Sequence, residues 1–317
     1  MKAIMYHYVR PFNPVLPYFT YLDLNNFRHQ LDWFQDNMPI LSLENFLSAI
    51  KNGVAPKEGT ILTFDDGLSD HYNYVLPELE KRGLWGFFYI PTGVHKTKNL
   101  LDVHRTHFLL GQMGGSSMLR AVMGVIEEGM ISESHRATFQ DVAYHNQTNE
   151  KDIATVKSIL NYQLLSEHRT PLLGTLMREF GDEEIIFQEF YMSSDQIIDL
   201  HERGMIVGSH SVSHPIFSTL TREEQSREIL ESFSFIESVI GELAIRSFCY
   251  PYGHPSTFTK ETEELLDEAN CQFAFKLSNQ EIQSHDLVKT PQALPRIDCN
   301  QFPHGEASRG PLRDNSI

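Results

Sequence analysis

This sequence lacks the features that would tie it to a bilayer, a nucleic acid or an oxidising compartment. No stretch of its 317 residues approaches the ~20 consecutive apolar residues that span a membrane. Cysteine is scarce, with Cys249, Cys271 and Cys299 the only three. They are widely spaced and form no CxxC, so they read as reduced thiols, excluding a disulfide framework and a thiolate metal site. Basic residues are outnumbered, 26 Lys+Arg against 42 Asp+Glu, for a formal charge of −16. Such a surface repels phosphate, and no basic stripe compensates, which argues against nucleic acid and anionic lipid as partners. A secretory signal is also missing: Lys2 precedes only the short apolar run Ala3-Ile4-Met5-Tyr6, which His7 interrupts. A cytoplasmic location is therefore the expectation. Tryptophan is limited to Trp33 and Trp85.

What is present suits a large globular core, with 41% hydrophobic and 21% charged residues. Short apolar runs alternate with helical patterns. Strands are expected at 3–9, 40–43, 60–64, 84–90, 205–207, 246–250 and 272–277. Helices are expected at 24–37, 44–51, 72–82, 194–202, from about 221, and at 260–270. Thr221-Arg222-Glu223-Glu224 fits a capping box. The alternation implies parallel strands with crossover helices, an α/β fold. Seven or eight strands favour a distorted (β/α) barrel, of residues 1–95 and 193–302. Residues 96–192 break the rhythm and read as a mostly helical insertion after the fourth strand, either lid-like or purely structural, and a candidate homo-oligomer contact. The tail, 303–317, is expected to be flexible.

Several motifs sit at expected strand ends, where parallel α/β folds place reactive groups. Thr63-Phe64-Asp65-Asp66-Gly67 ends a strand in two adjacent carboxylates, which repel unless a positive group is near; an ordinary Asp-Gly turn is the plain alternative. Ser209-His210-Ser211-Val212-Ser213-His214-Pro215 carries two imidazoles four apart. With 15 histidines in the chain, that spacing is weak by itself. Joined by one carboxylate, the pair would make a three-ligand metal site with an open position. Phe248-Cys249-Tyr250-Pro251-Tyr252-Gly253 is either a turn or a source of backbone N–H groups for an oxyanion. Arg296, within Leu294-Pro295-Arg296-Ile297-Asp298, has an apolar setting that calls for a carboxylate partner. His7 ends the first strand.

Together these motifs resemble the polysaccharide deacetylases (NodB homology, carbohydrate esterase family 4). The Met5-Tyr6-His7-Tyr8-Val9 start and Pro295-Arg296-Ile297 resemble the circularly permuted poly-N-acetylglucosamine deacetylase branch. The likeness spans roughly 1–95 and 193–300 and omits the insertion. It implies that Asp66, His210 and His214 hold one divalent metal, most plausibly zinc, with cobalt, nickel, iron or manganese also accommodated by such a set. It further implies Asp65 as general base, the Tyr252 backbone N–H as an oxyanion donor, His7 as the acid that protonates the leaving amine, and Arg296 as partner of Asp65. Two departures stand out. Cys249 occupies the place of an arginine common in the family, and the family's aspartate–tryptophan motif is absent.

The resemblance implies an N-deacetylase acting on an N-acetylated sugar, and the missing export signal points to a cytoplasmic glycan or surface-polysaccharide precursor. The same site would suit a hydrolase of a formamide, cyclic imide or other non-sugar amide. An inactive carbohydrate-binding or scaffold protein is the remaining alternative. In the insertion, His104 and His107 share a helix face as a second metal site, a substrate contact or solvated surface. Arg105 is a candidate for a substrate phosphate or carboxylate. His95 is near the site by topology, and His71 is expected to be structural.

Overall fold

The computed structural model describes residues 1–127, 129–139 and 150–309. The chain divides into two compact units. Met1–Pro11, Leu22–Thr97 and Gln188–Ala307 form the first, while Phe12–Tyr21, Lys98–Phe187 and the residues from Ser308 onward form the second.

The first unit is built on a closed barrel of seven parallel strands. They are β1 (Lys2–Tyr6), β2 (Thr60–Phe64), β3 (Phe87–Ile90), β4 (Ile206–Ser209), β5 (Ser247–Cys249), β6 (Phe273–Leu277) and β7 (Leu294–Asp298). β1 pairs with β2 from Lys2↔Thr60 to Tyr6↔Phe64, and with β7 at Ile4↔Ile297, which closes the ring and leaves no open edge. Side chains alternate along each strand. Leu62 and Phe64 pack outward with Phe27, Leu31, Leu76, Leu79, Ile197 and Leu200 of the surrounding helices. Ile61, Phe87, Tyr89, Cys249, Phe273 and Phe275 form a separate inner cluster. Two-residue periodicity therefore decides which residues face the barrel interior, and Thr63 and Asp65 fall in the inner phase.

The helices follow local rules. α1 (Leu24–Asn37) is capped by Asp23, whose carboxylate accepts the Asn25 and Asn26 N–H groups, and it buries Phe27, Leu31 and Phe34 along one face. α2 (Leu43–Asn52) ends on Gly53 at φ +66°. After β2 the chain makes a π-helical turn, His71–Val75, that runs into α3 (Leu76–Lys81). α4 (Ser194–Glu202) and α5 (Arg222–Ile240) both begin with capping boxes, the latter between Thr221 and Glu224 as the sequence suggests. A short helix also spans Gly93–Thr97, and α6 (Lys260–Glu268) and α7 (Ser284–Lys289) follow near the C-terminal end of this unit.

The seven-stranded barrel agrees with the fold expected from the sequence, but its membership differs. Residues 40–43 contribute only an isolated bridge, Ile40↔Thr60, before α2 begins. The closing strand β7 replaces it, so the long insertion follows the third barrel strand and not the fourth. Pro295 hides β7 in the sequence, because proline weakens a strand assignment. It is tolerated because it stands near the strand's start, before the first registered pair with β1 at Ile297.

The second unit is mostly helical, with helices at Asp102–Met113, Gly115–Met123, Glu133–Phe139, Lys151–Ser158 and Ser166–Met177. The expected flexible tail is held for its first part. Gln30 donates to the Pro303 carbonyl at 2.9 Å, and Ser308 pairs with Tyr21 in a short antiparallel ladder; residues 310–317 lie outside the described residues. No helix among the described residues is long and apolar enough to cross a membrane.

Gly208 on β4 marks the tightest point of the barrel wall near the site. A β-carbon there would collide with the Tyr89 ring and crowd the Ser247 hydroxyl. Gly208→Ala should therefore destabilise the protein by about 1–3 kcal/mol, read as a lowered denaturation midpoint. An unchanged midpoint would mean that the wall has slack at this position.

Candidate active site

The C-terminal ends of the barrel strands bring the separated motifs together. His7 follows β1, Asp65 and Asp66 follow β2, His210 and His214 follow β4, and the Tyr250–Gly253 turn follows β5. Arg296 reaches the same space from within β7.

Asp65 sits where β2 ends and donates its N–H to the Tyr6 carbonyl of β1 at 3.0 Å. Its carboxylate is 1% exposed and lies against an equally buried guanidinium. Arg296 Nη1 reaches Oδ1 at 2.7 Å and Nη2 reaches Oδ2 at 2.6 Å, a two-pronged contact. Nη1 also donates to Thr63 Oγ1 at 3.0 Å, and Thr63 in turn donates to the Ile4 carbonyl at 2.8 Å. Nη2 lies 2.9 Å from Cys249 Sγ. Burial by itself would raise the Asp65 pKa. The charge and hydrogen bonds of Arg296 outweigh it, with smaller help from His210 and His7, and hold the carboxyl at about 2. Asp65 is therefore an anion of fixed orientation at any ordinary pH.

Asp66, His210 and His214 form a second buried group. Asp66 Oδ1 lies 3.4 Å from His210 Nε2 and 3.6 Å from His214 Nε2. Donors about 2.0–2.2 Å from a tetrahedral ion stand roughly 3.3–3.6 Å apart, so a carboxylate oxygen at these separations from two imidazole nitrogens fits a single divalent cation. His210 Nδ1 lies 2.7 Å from the Cys249 carbonyl, which places the proton on Nδ1 and leaves Nε2 as the ligand atom. A second convergent set, Asp65, His210 and Cys249, fits an ion poorly. Both oxygens of Asp65 are engaged by Arg296, and burial raises the Cys249 pKa, keeping it a thiol.

The backbone under these donors is strained. Asp66, Ser211, His214 and Tyr252 have φ of +80°, +65°, +57° and +62°, four of the eight non-glycine residues with left-handed φ among those described. Each such residue costs on the order of 1 kcal/mol or more and persists only when its surroundings hold it. Glu228 of α5 supplies much of that hold for the histidine loop. It accepts the Val212 and Ser213 N–H groups, each at 2.8 Å, and the Ser213 hydroxyl at 2.6 Å. The Ser211 hydroxyl accepts the His214 N–H at 3.0 Å. No spacing rule pointed to Glu228, which lies 14 residues beyond His214, nor to the Cys249 thiol as part of the Asp65 network.

His7 Nε2 lies 3.9 Å from Asp65 Oδ2 and 4.0 Å from Asp66 Oδ2, so this lone histidine joins the cluster. The Tyr252 ring meets that of His214 edge-on, with centroids 4.9 Å apart. Gly253, at φ +68°, lets the turn press on Leu277, whose N–H reaches the Gly253 carbonyl at 2.8 Å. Other expectations are corrected. Arg105 is not available to a substrate anion, because Glu183 holds it by two hydrogen bonds of 2.7 and 3.0 Å and Asp102 by a third of 3.1 Å. His104 is wholly buried, not solvated, and neither it nor His107 belongs to a convergent metal-binding group among the described residues. His95 stacks on Phe235 at 5.1 Å. Trp85 packs with Phe46 and Phe87, and Trp33 with Phe34 and Phe302, so both serve the core.

Residues 161–274 match the family model described as polysaccharide deacetylase. That stretch holds both histidines and the Tyr250–Gly253 turn, while the Asp pair and Arg296 lie outside it. Among solved structures, the chain is similar to the Streptococcus pyogenes deacetylase PplD in complex with acetate. The TM-score is 0.57 at 16% identity, over 94% of this chain and 91% of that one. It is also similar to a de-N-acetylase from Aggregatibacter actinomycetemcomitans, with TM-score 0.54, 13% identity and 93% of each chain covered. A third is IcaB from Ammonifex degensii, with TM-score 0.53, 15% identity, and 93% and 90% covered. At these identities the likeness is one of fold. No curated protein sequence matches the chain. The family match bears out the resemblance carried by the histidine motif and the Tyr250–Gly253 turn.

Two substitutions test the donor set without relying on turnover. His210→Ala should leave the purified protein without stoichiometric metal in elemental analysis. Glu228→Ala should keep the three donors but weaken zinc binding about 10- to 100-fold in a chelator competition. Full zinc affinity in Glu228→Ala would show that the loop holds its shape unaided.

Proposed function

We propose that this polysaccharide-deacetylase-like chain is a metal-dependent hydrolase that removes an acetyl group from the nitrogen of an N-acetylated sugar. The observation that carries the reading is the pairing of a fixed carboxylate, Asp65, with an exposed-edge imidazole, His7, beside the buried donors Asp66, His210 and His214. The family match supports the reaction class. Acetate, with which the S. pyogenes deacetylase is in complex, is the product that such a hydrolysis releases.

A divalent ion such as zinc on Asp66, His210 and His214 would supply Lewis acidity, making a nearby water more acidic and polarising the acyl oxygen. Asp65 accepts the proton of the attacking water. Arg296 keeps Asp65 ionised and aimed, so the base pays no reorientation during the reaction. The Tyr252 N–H donates toward the acyl oxygen as negative charge develops there. His7 delivers a proton to the nitrogen as the C–N bond breaks, because an amine leaves as a neutral group and not as an amide anion. Water is split between the products, hydroxyl to acetate and proton to the amine.

Asp65→Asn should abolish turnover, by a factor of about 10² to 10⁴, while metal content stays at the parent level; near-normal activity would remove Asp65 from the role of base. His7→Ala should slow N-acetyl amides far more than activated aryl acetates, whose leaving groups need no proton. An acetate-release screen of N-acetylhexosamine conjugates beside formamides and cyclic imides tests the substrate class, and release from the small amides alone would overturn the sugar assignment. The cytoplasmic location is a separate proposal, to be checked by fractionation of the native cells.

A further inference from the structure

His7 is held by its backbone more than by its side chain. Its imidazole is 40% exposed and only approaches the two carboxylates at 3.9 and 4.0 Å. The peptide groups around it are each fastened. The Tyr6 carbonyl accepts the Asp65 N–H at 3.0 Å, and the Tyr8 carbonyl accepts the Leu22 N–H at 2.9 Å. Between them, the His7 carbonyl lies 2.9 Å from Nε2 of His71. One residue before His71, Asp70 accepts a hydrogen bond from Arg10 Nε at 2.7 Å, so the start of the π-helical turn holds the chain at His7 and again three residues later. Such turns recur at functional sites.

His71 is an unfavourable choice for a purely structural residue. It is completely buried, with its ring edge-on to Phe64 at 5.6 Å and to Phe88 at 5.8 Å. Burial lowers its pKa to about 4, against the opposing pull of its bond to the His7 carbonyl, so the ring is neutral and carries one proton. A carbonyl at Nε2 requires that proton to be there. Nδ1 is then a buried acceptor with no hydrogen-bond partner among the described residues. Leaving such an acceptor unpaired is a penalty that phenylalanine or leucine would not carry. What an apolar residue cannot provide is the donor to His7.

We propose that His71 is a positioning residue whose Nε2–H fixes the His7 peptide and so aims the His7 imidazole at the departing nitrogen. The inference rests on the reading of His7 as proton donor. A misplacement of about 1 Å can cost 10²-fold in rate, enough for a residue that never touches substrate to matter.

The test uses the full-length, zinc-loaded protein with His71→Phe, His71→Leu and His71→Gln, assayed on an N-acetyl amide and on an aryl acetate. His71→Phe and His71→Leu should lose about 10- to 100-fold on the amide with little change on the ester, at parental zinc content and with a melting temperature equal to or above that of the parent. His71→Gln keeps an N–H that can reach the His7 carbonyl and should recover part of the amide activity. Equal losses on amide and ester, full amide activity in Phe and Leu, or a loss that tracks zinc content would overturn the proposal. If Phe is not tolerated, the Leu and Gln pair gives the same comparison, and identical behaviour of the two overturns it. His7→Ala separates the two levels. Should it strike amide and ester alike, the proton-donor reading fails; should it be amide-selective while the His71 variants are not, only the positioning role fails.

Discussion

A guanidinium sealed inside the barrel is the constraint around which the rest is arranged. Arg296 is 1% exposed and cannot shed its charge, so the fold must present an anion to it. It does so across the closure of the ring, because Arg296 stands on β7 and Asp65 follows β2, with β1 between them. The pair forms only when the ends of the barrel meet. Thr63 and Cys249 complete the shell around the guanidinium, and the Cys249 carbonyl passes the constraint to His210. A single buried charge thereby ties four strands to the orientation of the Asp65 carboxylate and of the His210 imidazole.

Around that centre the chain accepts local strain and offsets it from the side. Left-handed φ at Asp66, Ser211, His214 and Tyr252 turns the chain sharply just beyond the strand ends. The supports come from elements distant in sequence: Glu228 from α5 under the histidine loop, and His71 from the π turn behind His7. They share one chemistry, in which a side chain satisfies backbone groups of a loop that has left its ladder. Strain here is a property of the loops and regular pairing a property of the barrel.

Much of this was legible in one dimension. β2 at Thr60–Phe64, α1 at Leu24–Asn37 and α4 at Ser194–Glu202 fall where periodicity and capping residues put them, since those signals act within a few residues of the chain. β7 was not, because Pro295 masks it and only the pairing with β1 and β6 stabilises it. The weak strand signal at 40–43 failed for the converse reason: its apolar residues find a single bridge and then a better use in α2. Arg105 looked free because its main partner, Glu183, is 78 residues away.

The residue types of the site, and the order in which they occur, are properties of the sequence alone. Adjacent aspartates before a glycine and two histidines four apart are patterns of covalent neighbours, and strand-end placement follows from local propensity. What only the folded chain decided is which of 15 histidines and 42 carboxylates face one another. Convergence depends on barrel closure and shear, which are cooperative outcomes of long-range pairing. No local signal assigns Asp65 to Arg296, Asp66 to His210 and His214, or His71 to the carbonyl of His7, because each contact is made between segments distant in the chain that meet only in the folded barrel.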